Sequence, residues 1–303
     1  MNLNIRKTFT LKDHDAPVYS LEAFNEYAFF SGGGDRIVSL NSLTSGSVPS
    51  GIVNTGSTIY SLNYLPEKNI LLAGVSGGGM HVIDFNQKKE IHFLLFHTLG
   101  IYDIKYAPKN KMIVTAGGDG KLACWSSDDF SFLRSLHLCR GKLRSVAIDK
   151  EEENIAVACG DGTIRIIALK SMDEVYQIAA HTTSVNAVIF HPTRNLLLSG
   201  GRDAHVKAWD TRGFDERTSI PAHNYAIYSI AFSPDAAWFA TASRDRTIKI
   251  WSSDSLNFLH RIDKEKLDGH AFSVNKILWM KDALLSASDD KTIMGWKIEP
   301  GVK

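Results

Sequence analysis

Residues 181–223 read HTTSVNAVIFHPTRNLLLSGGRDAHVKAWDTRGFDERTSIPAH. Val185, Ala187 and Ile189 alternate there with Asn186, Val188 and Phe190, the period of two that sends successive side chains to opposite faces of a strand. Four such runs, 184–191, 195–201, 204–210 and 215–221, are separated by turns containing Pro, Gly or Asp. No run leaves space for a helix of about ten residues, so the stretch predicts a four-stranded antiparallel sheet.

Outward from this stretch the same pattern recurs. Turn aspartates stand at 119, 161, 203 and 245, a constant step of 42 residues. Stepping backward reaches Gly77 and Asp35; stepping forward reaches Asp290, three residues late because residues 262–268 lengthen the connection before it. Histidines 14, 97, 181, 223 and 270 keep the same beat, as do prolines 66, 108, 192 and 234. Trp125, Trp209, Trp251 and Trp296 each lie six residues after an aspartate. Asp-Gly at 119–120 and 161–162 adds a strong hairpin signal. A period between 20 and 50 residues marks a repeat architecture. Here seven repeats of about 42 residues fill residues 1–303 as a single domain. One sheet of this size cannot bury both faces, so the sheets must pack face to face, and seven can close a ring that removes exposed ends.

The registers, histidine, apolar strand, aspartate, then tryptophan six later, resemble the WD40 (β-transducin) repeat across essentially the whole chain. Gly269-His270 and Trp209-Asp210 carry its dipeptides, whereas the second repeat has Gly77 and Ile83 in place of Asp and Trp. The fold expected is all-β: a single seven-bladed β-propeller of four-stranded antiparallel blades. After Trp296 too little chain remains for a fourth strand in the last blade. Residues 5–11 alternate, precede the first histidine, and are expected to supply it as an N-terminal strand, as in the family.

His181, Ser199 and Asp203 contain the ingredients of a nucleophilic triad. The competing arrangement has Trp209 donating to Ser199, Ser199 bonded to His181, and His181 bonded to Asp203, with each polar group satisfied inside a packed sheet. Repetition separates the two. His97, Thr115, Asp119 and Trp125 form the same set, as do His223, Thr241, Asp245 and Trp251, and His270, Ser286, Asp290 and Trp296. An active site is needed once, whereas a device that pins a turn is needed in every sheet. The sets also resemble the family's structural tetrad, so no catalytic residue is assigned. Repeats two (Thr55, Ala73, Gly77, Ile83) and four (Cys139, Val157, Asp161, Ile167) lack it and should be less cross-braced.

No cofactor or metal is expected. The three cysteines, 124, 139 and 159, show no paired spacing, and no His-x-x-x-His occurs. Gly32-Gly33-Gly34 and Gly77-Gly78-Gly79 precede strands, without the helix N-terminus that makes a phosphate loop, and read as turns. An odd cysteine count without a dense framework favours a reducing compartment, and no apolar run approaches a leader or a membrane span; a cytoplasmic location is expected. With 34 Lys+Arg against 33 Asp+Glu, 22% charged and 44% hydrophobic residues, the chain is neither a polybasic nucleic-acid binder nor a disordered acidic one.

Positions that hold equivalent places but change identity are where a partner could be read. The residue after the first inward apolar position of each innermost strand is Tyr19, Tyr60, Tyr102, Arg144, Asn186, Tyr228 and Asn275. By resemblance to WD40 propellers these line the mouth of the central channel, with Arg202 and Arg244 on the same face. Tyr and Arg are enriched at binding hot spots, and the arginines suit an acidic or phosphorylated peptide. The function expected is a non-catalytic scaffold or adaptor that binds a protein or peptide partner, a monomeric propeller within a larger complex, without direct nucleic-acid or membrane contact. The alternatives are an enzyme with its site in the channel mouth, using Tyr102, Arg144 or a nearby Asp, and a nucleic-acid-associated complex subunit. The charged loop 262–269 is expected to rise on the same side.

Overall fold

In the computed structural model, which describes residues 3–43, 50–281 and 283–301, each alternating run of the 181–223 stretch is a strand. Val185–Phe190, Leu196–Gly201, His205–Asp210 and Glu216–Pro221 pair antiparallel in chain order. Leu196–Gly201 is buried along its whole length, whereas Glu216–Pro221 is largely exposed. The difference follows the residues: an unbroken Leu-Leu-Leu run suits a strand covered on both faces, and Glu-Arg-Thr-Ser suits the sheet's outer edge.

Seven four-stranded antiparallel sheets of this kind are present among the described residues. The first six occupy residues 18–54, 59–95, 101–137, 143–179, 185–221 and 227–262. The seventh has three consecutive strands, Val274–Trp279, Leu284–Ser288 and Ile293–Pro300, and takes its fourth from the N-terminus. Leu3–Leu11 runs antiparallel to Ile293–Pro300, with Leu3 opposite Pro300 and Leu11 opposite Ile293. The strand expected at 5–11 is therefore present and begins two residues earlier. Leu3 and Ile5 reach the core beside the fully buried Trp296. Burying side chains of that size stabilises by roughly 1.5–3 kcal/mol each.

Contacts divide the chain into two compact units. One runs from Tyr60 to Pro221 and holds the second to fifth sheets. Its cores fill the space between successive sheets: Leu72, Ile104 and Trp125 in one, Val114, Val146 and Ile155 in the next, Ala156, Val188 and Trp209 in the third. The other unit takes the described residues up to Ile59 and from Ala222 onward, with the first, sixth and seventh sheets. It is built the same way, on Ile250, Ile277 and Trp296 and on Val18, Phe29 and Leu285. The lengthened connection near 262–269 forms one helical turn, Lys264–Leu267, whose N-cap Asp263 accepts the backbone N–H of Lys266. Among the described residues no helix is long and apolar enough to cross a membrane.

Candidate functional site

All four predicted sets of histidine, hydroxyl, aspartate and tryptophan assemble. In the fifth sheet His181 Nδ1 lies 2.9 Å from Asp203 Oδ1, His181 Nε2 lies 2.8 Å from Ser199 Oγ, and Trp209 Nε1 donates to the same hydroxyl at 2.9 Å. The third sheet repeats this with His97 to Asp119 at 3.0 Å, His97 to Thr115 at 2.9 Å and Trp125 to Thr115 at 3.2 Å. The sixth joins His223 to Asp245, His223 to Thr241 and Trp251 to Thr241 at 2.9, 2.8 and 2.9 Å. In the seventh, His270 to Asp290, His270 to Ser286 and Trp296 to Ser286 repeat those lengths. Each aspartate also accepts the backbone N–H of the residue after its histidine, from Thr98, Thr182, Asn224 or Ala271. The network thus ties the loop before an inner strand to the turn after the next one.

Donor and acceptor roles follow from the partners. A carboxylate only accepts, so Nδ1 carries the proton, Nε2 accepts from the hydroxyl, and the hydroxyl oxygen accepts from the indole. Burial pushes His97, His181 and His223 below the ordinary 6.5, with the aspartate beside each pulling the other way. Burial would raise Asp119 and Asp203, but hydrogen bonds and the histidine outweigh it and hold both below the usual carboxylate range. Asp245 and Asp290 are lowered by the same balance. Thr115, Ser199, Thr241 and Ser286 are fully buried, with both sides of each hydroxyl engaged, so none offers a nucleophile to a substrate.

The first sheet holds a variant that the sequence did not reveal. His14 bonds Asp35 at 2.6 Å and Ser31 at 2.8 Å, and the third arm is Asn41, whose Nδ2 donates to Ser31 Oγ at 2.9 Å. Asn41 stands six residues after Asp35, where the third, fifth, sixth and seventh sheets have tryptophan, and supplies the same N–H without the ring.

The positions expected to vary share a feature of the backbone. In six sheets the inner pair carries a β-bulge, and the extra residue is Tyr19, Tyr102, Arg144, Asn186, Tyr228 or Asn275. A bulge takes one residue out of the pairing ladder and re-aims its side chain. The turn beyond is pinned by a recurring bond: the backbone N–H groups of Gly34, Gly118, Arg202, Arg244 and Asp289 donate to Pro17, Gly100, Ser184, Ala226 and Ser273 at 2.8–3.0 Å.

Within the Tyr60–Pro221 unit three of these residues come together. Tyr60 and Tyr102 stack with ring centroids 5.0 Å apart and planes 12° from parallel. Lys142 Nζ donates to Tyr102 Oη at 2.9 Å and lies 5.1 Å from its ring centroid, with Arg144 Cζ at 5.4 Å. Gly100 makes room for this cluster, since a Cβ there would stand 2.9 Å from the Tyr60 ring. Asn186 is buried and accepts from Ser184 Oγ, while Arg202 is exposed. In the other unit Tyr19 and Tyr228 are half-buried, and Asn275 is committed to Val18 O and Asp289. Exposed Arg244 lies 5.9 Å from the ring of Tyr225. Lys142 and Tyr225 were missed as partners from the sequence, because neither occupies the bulge position whose variation was followed.

The WD40 family model (WD domain, G-beta repeat) matches residues 88–126, 172–210 and 214–252. The crystal structure of the WD40 beta propeller domain of Doa1 superposes with a TM-score of 0.86 at 18% identity, covering 97% of each chain. Three of the chain's repeats are thus matched as WD40 repeats, and its fold is a seven-bladed β-propeller. Its seven sheets are the blades, and the N-terminal strand completes the last one. Among curated relatives, THO complex subunit 3 of Arabidopsis thaliana is 28% identical over 130 residues, 43% of this chain and 41% of that protein. Autophagy-related protein 16 of the same plant is 20% identical over 190 residues, 62% of this chain and 37% of the relative. Each alignment spans less than half of the relative's length.

Two blades lack the tetrad. In the fourth, Val157 and Ile167 fill the hydroxyl and indole places and are fully buried. Cys139 replaces the histidine, and its sulfur, that of Cys159 and a carboxylate oxygen of Asp161 lie within 4.8 Å of one another. The spacing of these cysteines gave no reason to group them; pairing of Leu143 with Cys159 across the inner hairpin carries the loop holding Cys139 to its partner. All three cysteines are free thiols.

Proposed function

We propose that this chain is a non-catalytic interaction platform that binds a peptide segment of a protein partner through its bulged inner-strand positions. The observation that carries the reading is the cluster of Tyr60, Tyr102, Lys142 and Arg144, two stacked rings flanked by two cations. A rigid aromatic pair offers contact area at little entropic cost, and Arg144 offers a bidentate donor to carboxylate or phosphate. An acidic or phosphorylated peptide is the ligand chemistry that matches, with Arg202 as a further cation of the same unit and Arg244 as its counterpart in the other. Tyr19, Asn186, Tyr228 and Asn275 occupy the equivalent places in other blades. The buried, doubly bonded hydroxyls of the tetrads support a structural rather than catalytic role for them. The near-balance of charge supports a protein partner over nucleic acid. One relative is by name a subunit of a complex, which suits a monomeric propeller acting inside a larger assembly. Free thiols fit a reducing compartment, and the cytoplasm is our reading.

Fluorescence titration against a library of acidic and singly phosphorylated peptides tests this. Tyr102→Ala and the double variant Arg144→Ala/Arg202→Ala should each weaken the best ligands by roughly ten- to thirty-fold. Val175→Asp, on an exposed outer strand, should leave binding unchanged. Full retention of every ligand by Tyr102→Ala, or a library with no ligand at all, would overturn the proposal.

A further inference from the structure

The fourth blade exchanges two residues together. Cys139 stands where the fifth blade has His181, and Cys159 stands where it has Gly201. A Cβ at Gly201 would lie 2.4 Å from His181 Nδ1, so the fifth blade tolerates no side chain there. With the smaller cysteine in place of histidine, that space opens and the second cysteine fills it. Cys159 is fully buried, and Cys139 is 6% exposed at the edge of its loop. Asp161 is otherwise occupied: Oδ1 accepts from the backbone N–H and hydroxyl of Thr163 at 3.0 and 2.6 Å, and Oδ2 faces Arg165 at 3.5 Å. A cation would have to displace that guanidinium.

We propose that Cys139 and Cys159 are a modification site for small hydroperoxides, with Cys139 as the thiolate that attacks the peroxide and Cys159 as the thiol that resolves the oxidised Cys139 to a disulfide. The sulfurs need at most about 3 Å of approach to reach bonding distance. Reactivity is divided between them as this requires. A hydrogen bond from Cys159, opposed by burial and by the Asp161 carboxylate and aided by the backbone of Gly141 and Gly160, brings Cys139 down to about 6. The same hydrogen bond and burial push Cys159 up, so it stays a thiol. Burial pushes the third cysteine, Cys124, up to about 12.

The chemistry balances with one peroxide. The Cys139 sulfur attacks one peroxide oxygen, the O–O bond breaks, and the departing hydroxide takes a proton to leave as water; Cys139 becomes a sulfenic acid. That step removes the negative charge that held Cys159 protonated. Cys159 then loses its proton and attacks the Cys139 sulfur, the S–O bond breaks, and hydroxide and proton leave as a second water. Two thiols and one hydroperoxide give a disulfide and two waters, or one water and an alcohol from an alkyl hydroperoxide. The bond would tie the loop carrying Lys142 to the strand Asn154–Cys159, in a blade where no tetrad does so.

The test uses the intact chain and hydrogen peroxide. After one equivalent at pH 7, alkylation under denaturing conditions and peptide mapping should show a Cys139–Cys159 cross-linked peptide, reversed by dithiothreitol, with Cys124 still alkylated. Cys139 should be lost at least tenfold faster than Cys124. In Cys159→Ser, dimedone should trap a sulfenic acid on Cys139, and the cross-link should be absent; if that variant does not fold, mapping of the unmodified chain decides alone. Recovery of both cysteines as alkylated thiols, oxidation of Cys124 at a comparable rate, or dimedone-labelled Cys139 in the unmodified chain without cross-link would each defeat the proposal.

Discussion

The fourth and fifth blades are consecutive, equal in strand length, and pair with the same inner bulge, yet they hold their turns by opposite means. The fifth threads His181, Asp203, Ser199 and Trp209 into one satisfied chain of hydrogen bonds. The fourth puts Val157 and Ile167 at the hydroxyl and indole places, so no donor or acceptor there needs a partner. Both solutions are self-consistent, because the costly state is a buried polar group left unmatched. The first blade lies between them: Asn41 completes the network through its Nδ2, but its Oδ1 has no hydrogen-bond partner among the described residues. A blade can therefore keep the whole network or dispense with it, and partial versions leave a residue of cost.

The largest break in this comparison should come from Ser199→Ala. It strands the Trp209 N–H and His181 Nε2 inside the blade and should cost about 2–5 kcal/mol in urea denaturation, from two unpaired buried groups. A loss below about 1 kcal/mol would show that the network contributes little beyond packing. The mirror change, Val157→Thr, keeps the volume but introduces a hydroxyl without histidine or tryptophan beside it. It should destabilise by about 1–3 kcal/mol; a neutral or stabilising result would mean the fourth blade is only a degraded copy of the fifth.

The smallest effect is set by pH. His97, His181 and His223 have folded values below the unfolded 6.5, so the unfolded chain binds more protons as pH falls through that value, and stability is lost below it. The lowered aspartates add a second loss below about 3.8 for the same reason, since protonating them favours the unfolded chain. Measured in a Cys139→Ser background, which removes the thiolate that titrates near 6, unfolding free energy should decline between pH 7 and 5. His181→Asn should flatten that decline. An equal slope with and without His181 would remove the histidines as its source.

Much of this is legible in the sequence. The 42-residue step and the period-two runs located the strands to within a residue or two, because alternation and turn residues are local properties of the chain. The four tetrads were legible because their members recur at fixed offsets, 18 and 22 residues from histidine to hydroxyl and aspartate in the third, fifth and sixth blades. Asn41 was not, since an amide and an indole share a single N–H donor and nothing else that composition records. Cys139 and Cys159 were not, since their meeting depends on a strand register. Of the varying positions, the identities were readable but not the fates: Tyr102 gathers Tyr60, Lys142 and Arg144, whereas Asn186 is buried and Asn275 is spent on its neighbours' backbone.

By itself, then, the sequence determined the number of blades, the order of their strands, the N-terminal strand of the last blade and the members of four hydrogen-bond networks. These depend on spacing, and spacing survives unfolding. The tertiary structure alone decided which side chains at equivalent places touch: the stacked tyrosines under their cations, the amide that replaces an indole, and the two thiols of the fourth blade. Those meetings are set by bulges and by side-chain volumes across a packed sheet, which come into being only when the strands pair.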